Sequence, residues 1–211
     1  ALTDSQATEV QATMIVSSGT GPSVDWSELR RDSLRLALER HVDGEIRFDQ
    51  PARVLYSTDA SMYEIKPLGV VIPRTVDALA SAVSIALEQH VSIVPRGAGT
   101  SLSGQAIGPG IVIDCSKYLD RVVDLDLDNR HVRVQPGCVL SQLNRRLKPH
   151  GYQIGPDVAT IERANIGGMI GNNSAGARSV RYGKMIDHVQ DVSVVLSDGS
   201  RTTFGPLDDS T

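Results

Sequence analysis

Glycine placement constrains this chain more than any other feature. Of its 19 glycines, 13 lie between Gly97 and Gly183, about two-fifths of the 211 residues. Glycine loses more backbone entropy on folding than any other residue. A fold that keeps this many must use them, for positive φ or for close approach of main chain to a ligand. They stand among Val, Ile, Arg and Asn rather than in Gly/Ser tracts, which sets low complexity aside. The pattern reads as a ligand cradle built from backbone.

Composition removes other readings. At 40% hydrophobic and 22% charged, the sequence is that of an ordinary soluble protein, long enough for one large domain or two small ones. A formal net charge of −4 leaves no excess of Lys and Arg for phosphate contacts, so no nucleic-acid partner is expected. Cys115 and Cys138 form no CxxC pair, so neither a disulfide framework nor a metal site is expected. No apolar run approaches the roughly 18 residues of a membrane span. The opening ALTDSQATEV is acidic and polar, unlike a signal peptide. The expected location is cytoplasmic, with any attachment to the inner face of a membrane made peripherally through partners.

Three stretches follow from the patterning, divided as residues 1–50, 51–120 and 121–206. The first is a loose tail to about residue 24, then a helix to about His41 opened by a capping box at Asp25-Trp26-Ser27-Glu28, with Trp26 as its anchor. Its apolar face is expected from Leu29, Leu34, Leu36, Leu38 and Val42. In the second stretch, Gly69–Pro73, Val91–Pro95 and Ile111–Asp114 read as short buried strands. Thr75 caps an intervening helix whose face is Val76, Leu79, Val83 and Leu87. Strand, helix, strand at this spacing implies a right-handed parallel crossover. The third stretch turns to hairpins: Arg121–Leu125 with His131–Val134 around Asp128-Asn129, and Val192–Leu196 with Arg201–Phe204 around a two-residue Asp198-Gly199 turn. Leu140, Leu143 and Leu147 mark a helix between them. The fold class is α+β: a small parallel βαβ unit followed by a mostly antiparallel sheet with helices.

Two constellations carry chemistry. Pro95-Arg96-Gly97-Ala98-Gly99-Thr100-Ser101-Leu102-Ser103-Gly104-Gln105 follows a strand directly, where a phosphate loop belongs. Gly97 and Gly99 let consecutive N–H groups converge on an anion, and Thr100 and Ser101 add hydroxyls. No Gly-Lys-Ser/Thr closes it, and no helix with dinucleotide-fold glycine spacing follows. A wide glycine loop without a ligand is the plain alternative. The second constellation runs from Ile166 to Gly183. Gly167, Gly168 and Gly176 would let a helix start press on a flat ligand, while Asn172, Asn173 and Ser174 offer partners to a polar ring edge. Small-residue helix packing would explain the glycines but not the Asn-Asn-Ser run.

Taken in order, PRGAGTSLSGQ, VRVQPG, GYQIGPD and NIGGMIGNNSAGARSVRYGKMIDHV resemble the FAD-binding domain of the vanillyl-alcohol oxidase superfamily, also called PCMH-type. Within it the match is closest to the D-lactate dehydrogenase and glycolate oxidase flavin-subunit branch. Thr58–Tyr63 with Pro67 and VVIP resembles the opening of that domain. The resemblance implies two α+β subdomains with FAD between them. Arg96, Gly97, Ala98, Gly99, Thr100 and Ser101 would hold the pyrophosphate, and Gly104 and Gln105 would continue that wall. Gly137, Pro156 and Asp157 would line the adenosine end. Gly167, Gly168, Asn172, Asn173, Ser174 and Gly176 would lie against the ring and ribityl chain, with Arg181, Tyr182 and Gly183 closing the motif. It further implies non-covalent FAD, because members linked through this loop carry His where Thr100 stands. The activity implied is oxidation of a 2-hydroxy acid such as D-lactate, glycolate or D-2-hydroxyglutarate. A separate capping domain would hold that substrate, and an iron–sulfur region or subunit is one electron acceptor in the family. A flavin- or nucleotide-binding module without dehydrogenase activity is the alternative; the UDP-sugar enolpyruvyl reductase branch carries a different loop where GNNSAG stands here. No catalytic residue is assigned: His188 reads as a structural hydrogen-bonding group, and Cys115 and Cys138 as packing residues.

Overall fold

The computed structural model describes residues 28–206. Helix α1 (Glu28–His41) enters first, and the expected cap at Asp25 and anchor at Trp26 lie outside the described residues. Leu34, Leu38 and Val42 are buried, but Leu36 is 44% exposed. Residues 34, 38 and 42 follow the four-residue spacing of one helix face, and 36 falls on the opposite side.

The first core is a four-stranded sheet of β1 (Gly44–Arg47), β2 (Gly69–Pro73), β3 (Ile93–Arg96) and β4 (Ile111–Asp114), in the order β1-β2-β4-β3. β4 runs parallel to both β2 and β3, whereas β1 is antiparallel to β2. The crossover from β2 through α3 (Val76–Glu88) therefore leaves a gap into which β4 inserts. β2 and β4 are buried at every residue, as their unbroken apolar runs require of strands covered on both faces. Thr75 caps α3 by accepting the Ala78 N–H at 3.0 Å. The helix buries Ala78, Ala80, Ala82, Val83, Ile85 and Ala86; Val76, expected on that face, is 46% exposed. Strand β1 and the short α2 (Gln50–Leu55) were not foreseen from periodicity; Asp49 caps α2 with Pro51 in its first turn.

The second core gathers Cys138, Leu140, Leu143, Leu147, Ala164, Ile166, Met169 and Met185. It lies beneath the antiparallel pair β5 (Val122–Asp126) and β6 (His131–Val134), helix α4 (Leu140–Leu147) and the one-and-a-half-turn α5 (Ile166–Gly171). A four-residue helix, α6 (Ser179–Tyr182), precedes a second antiparallel pair, β7 (Val192–Val195) and β8 (Arg201–Phe204). The two pairs are separate ribbons rather than one sheet. The turn joining β7 and β8 has three residues, Ser197–Gly199, not two. Leu196 and Ser200 close it, and Gly199 takes the left-handed conformation at φ 82° that such a loop demands. No helix of the described residues is long and apolar enough to cross a membrane.

Candidate functional site

The 97–105 loop leaves the end of β3, beside the end of β4. Gly99 has φ 68° and Gly104 φ 74°, a backbone that L side chains rarely adopt. None of the N–H groups of Gly97, Ala98, Gly99, Thr100 and Ser101 meets an acceptor among the described residues. Five consecutive unpartnered donors are costly unless solvent or a ligand takes them. The loop is held from outside. The Gly99 carbonyl accepts the Ala60 N–H at 3.0 Å, and Asp59 accepts the Ala106 N–H at 3.3 Å and the Ser61 N–H at 2.9 Å. Burial works against charge on Asp59, but these hydrogen bonds and the charge of Arg96 outweigh it and hold the carboxyl below its ordinary value. The Tyr63 ring lies against Gly104, where a Cβ would meet it at 3.0 Å.

The second segment supplies a bare face. At Gly168 and Gly171, on α5, an added Cβ would meet nothing within 4 Å, so the helix backbone stands open there. Gly167 instead packs on Pro136, where a Cβ would fall 2.6 Å from its ring. Asn173 sits at φ 42° and its side chain accepts the Ile186 N–H at 3.1 Å, while the Ser174 carbonyl accepts from Met185. Asp157 pins the segment from below: Oδ1 accepts the Arg178 N–H at 2.8 Å and Oδ2 faces the Arg178 guanidinium at 3.2 Å. Gly176 lies so close to the Asp157 carbonyl that no side chain fits. Pro156 is fully buried, and Gly137 is wedged against the Cys115 and Leu119 carbonyls. Gly183 takes φ 78° over Asp187.

The fold brings the two glycine-rich segments together. Gln105 donates from Nε2 to Asn172 Oδ1 at 3.0 Å, while its own carbonyl accepts the Ser101 hydroxyl at 2.6 Å. Deeper, Asn165 joins them a second time. Its Nδ2 donates to the Gly137 carbonyl at 2.6 Å, and a Cβ on Gly97 would fall 2.5 Å from its Oδ1. Asn165 is 4% exposed, and Oδ1 is the one buried side-chain polar atom without a partner among the described residues. Asn165 heads the NIGG run, but in sequence a polar residue directly before a helix looks like any cap.

The two segments, one with N–H groups that meet no acceptor among the described residues and one with bare helix backbone, are thus tied side by side, and the chain as a whole is matched by known proteins. Residues 67–205 match the model of a family described as an FAD binding domain. The chain belongs to that family. Among similar proteins, the D-2-hydroxyglutarate dehydrogenase of Pseudomonas putida is 39% identical over 170 residues, covering 79% of this chain and 17% of that one. The glycolate oxidase subunit GlcD of Bacillus subtilis is 34% identical over 162 residues, covering 75% and 34%. The chain thus spans about a sixth to a third of the curated relatives it matches. Of solved structures, Physcomitrella patens BBE-like 1 superposes with a TM-score of 0.71 at 22% identity, covering 82% of this chain and 37% of that one. A xylooligosaccharide oxidase from Myceliophthora thermophila superposes at 0.70 and 22% identity with the same coverage. The fold is the PCMH-type FAD-binding fold expected from the motifs.

FAD fits what this family member presents. A pyrophosphate is the ligand that a run of free N–H groups accommodates, and a planar ring is what an open glycine face accommodates. His188 is spoken for, with Nε2 at 2.6 Å from the Tyr182 carbonyl and Gly155 packed on the imidazole. Arg181 stacks on Tyr182 with its guanidinium 5.4 Å from the ring centre. Burial, with the charge of Asp114 adding to it, pushes the Cys115 thiol up to about 12; burial likewise raises that of Cys138.

Proposed function

We propose that this chain is the FAD-binding portion of a flavin-dependent dehydrogenase acting on a 2-hydroxy acid of the D-lactate, glycolate or D-2-hydroxyglutarate type. The reading rests above all on the N–H run from Gly97 to Ser101, which meets no acceptor among the described residues and which Gln105 and Asn165 tie to the segment carrying α5. Relatives named as D-2-hydroxyglutarate dehydrogenase and glycolate oxidase subunit support the substrate class. In this reading residues 51–120 and 121–206 are the two halves around the cofactor. The Gly97–Ser101 N–H groups, with the Thr100 hydroxyl, hold the pyrophosphate. Gly104, Gln105 and Asn172 close the wall over its middle, and Gly167, Gly168, Asn173, Ser174 and Gly176 shape the seat of the ring. Gly137, Pro156, Asp157 and Gly183 fix the chain turns that carry these groups. FAD would be held without a covalent bond, and when bound would supply the acceptor for a hydride from the substrate carbon. The substrate must be held about 3–3.5 Å away by a base and a carboxylate partner. Neither nearby candidate is free for this among the described residues: His188 is occupied by a carbonyl and Arg181 by an aromatic ring. Those groups belong to a capping region outside these residues, and the electron acceptor, an iron–sulfur region or subunit in this reading, lies outside them too. The protein works in the cytoplasm.

The test is direct. The purified 211-residue chain should be yellow or become so with FAD, and acid precipitation should release all the flavin to the supernatant. Anaerobic D-lactate, glycolate or D-2-hydroxyglutarate should leave the colour unchanged, whereas one of them should bleach the longer protein. A chain that takes up no FAD, or a longer protein that no 2-hydroxy acid bleaches, would overturn the proposal.

A further inference from the structure

Behind the 97–101 loop stands a column of three side chains that contacts to a ligand do not explain. Asp114, the last residue of β4, is 6% exposed and accepts the Ser116 N–H at 2.7 Å and the Tyr56 hydroxyl at 2.5 Å. The Arg96 guanidinium lies over the face of the Tyr56 ring, 5.2 Å from its centre. Arg96 then donates from Nη1 to the Ala106 carbonyl and from Nη2 to the Thr58 carbonyl, both at 2.9 Å. A Cβ on Gly99 would come within 2.5 Å of Nη2, so the cation rests directly against the loop backbone. No carboxylate of the described residues forms an ion pair with it.

We propose that Arg96 supplies positive charge to the FAD pyrophosphate through the loop rather than by touching it, and that Tyr56 and Asp114 are the positioning residues that hold it there. The inference rests on reading 97–101 as the pyrophosphate loop. Its physical logic starts from the buried carboxylate. Asp114 needs donors, and the phenol is one of them. A phenol hydrogen-bonded to a carboxylate carries more electron density on its ring face, which strengthens attraction for the guanidinium above. Burial, then the hydrogen bond to Asp114, raise the Tyr56 hydroxyl above its ordinary value, so it stays a neutral donor at any working pH. With its donors turned to carbonyls and no carboxylate at ion-pair distance among the described residues, Arg96 keeps its charge against the loop, where it also favours the ionised form of Asp59.

A role in loop packing alone would weaken every flavin equally and leave salt dependence untouched. The two cases separate in titrations of the apo chain with FAD and with phosphate-free riboflavin, across a range of salt concentrations. Arg96→Met should weaken FAD by about 10- to 100-fold while affecting riboflavin far less, and should flatten the salt dependence of FAD binding. Arg96→Lys should restore the salt dependence and part of the affinity. Tyr56→Leu should weaken FAD by about 5- to 10-fold, and Tyr56→Phe, which keeps the ring, by less. Circular dichroism establishes that each variant is folded, and the Tyr56 pair carries the test if Arg96→Met is not. A parent chain that fails to bind FAD overturns the reading of the loop itself. A parent that binds, with folded Arg96→Met or Tyr56→Leu keeping its affinity and salt dependence, overturns this inference alone.

Discussion

Replacing Gly168 by Ala should move stability and cofactor binding in opposite directions. Gly168 lies inside α5, and a Cβ there would meet nothing within 4 Å. In the apo chain the methyl group therefore clashes with nothing, and it removes backbone freedom from the unfolded state. Ala in place of an exposed helical Gly contributes about 0.5–1 kcal/mol. For a domain of this size that raises the melting temperature by roughly 1–4 °C. The same open face is where the flat ring is seated in our reading. A methyl group there must lift the ring off the helix, and a gap of about 0.5–1 Å already forfeits a quarter to a half of the dispersion attraction. Affinity should fall by at least about tenfold, equivalent to 1.4 kcal/mol. Differential scanning fluorimetry of the apo protein gives the first quantity, and quenching of FAD fluorescence gives the second. A variant that is stabilised yet binds FAD as tightly as the parent would refute the placement of the ring. Gly167→Ala is the matched control, because its methyl group would collide with Pro136 and should destabilise the apo chain.

Other consequences follow from the same contacts. Gly99→Val places a β-branched residue at φ 68° and displaces Arg96. That adds about 1–2 kcal/mol of backbone strain, and the purified protein should be colourless by absorbance. Asp59 is held below its ordinary value of 3.8, so its contribution to stability is present above that pH and is lost as pH falls below it through the lowered folded value. Asp59→Asn should lower the melting temperature at neutral pH, with the difference from the parent closing in acid. Cys115, with its thiol raised to about 12, should resist iodoacetamide at pH near 8 in the folded chain and react on denaturation, as judged by mass spectrometry.

The sheet was legible where burial dictates sequence. GVVIP and IVID announce β2 and β4 because strands covered on both faces must be apolar throughout. β1 was not, because Gly44-Glu45-Ile46-Arg47 forms an edge strand with polar side chains, and Glu45 reaches Lys117 and Tyr118 instead of the core. Strand order was equally silent. Nothing in periodicity says that β4 slides between β2 and β3, since that order follows from how the loop after β3 returns. Leu36 and Val76 show the limit of reading a helix face from apolar residues alone. Each stands on the outer side, and alanines such as Ala82 and Ala86 fill the close contacts instead.

The site divides along a different line. Chemistry done by backbone leaves a trace in sequence, because glycine adopts φ 68° at Gly99 without strain and alone allows the contact of Gly176 with the Asp157 carbonyl. Chemistry done by side chains acting at a distance leaves almost none. Asp114 reads as the polar end of a strand, Tyr56 stands in no periodic pattern, and Asn165 looks like any polar residue before a helix. Yet Asp114 holds Tyr56, Tyr56 lies under Arg96, and Asn165 packs on Gly97, across sequence separations that no local pattern encodes. Asn165 and Gln105 also join the two glycine-rich segments. The buried amide, packed between Gly97 and the Gly137 carbonyl, fixes their spacing rigidly, while the exposed Gln105–Asn172 bond can exchange with water.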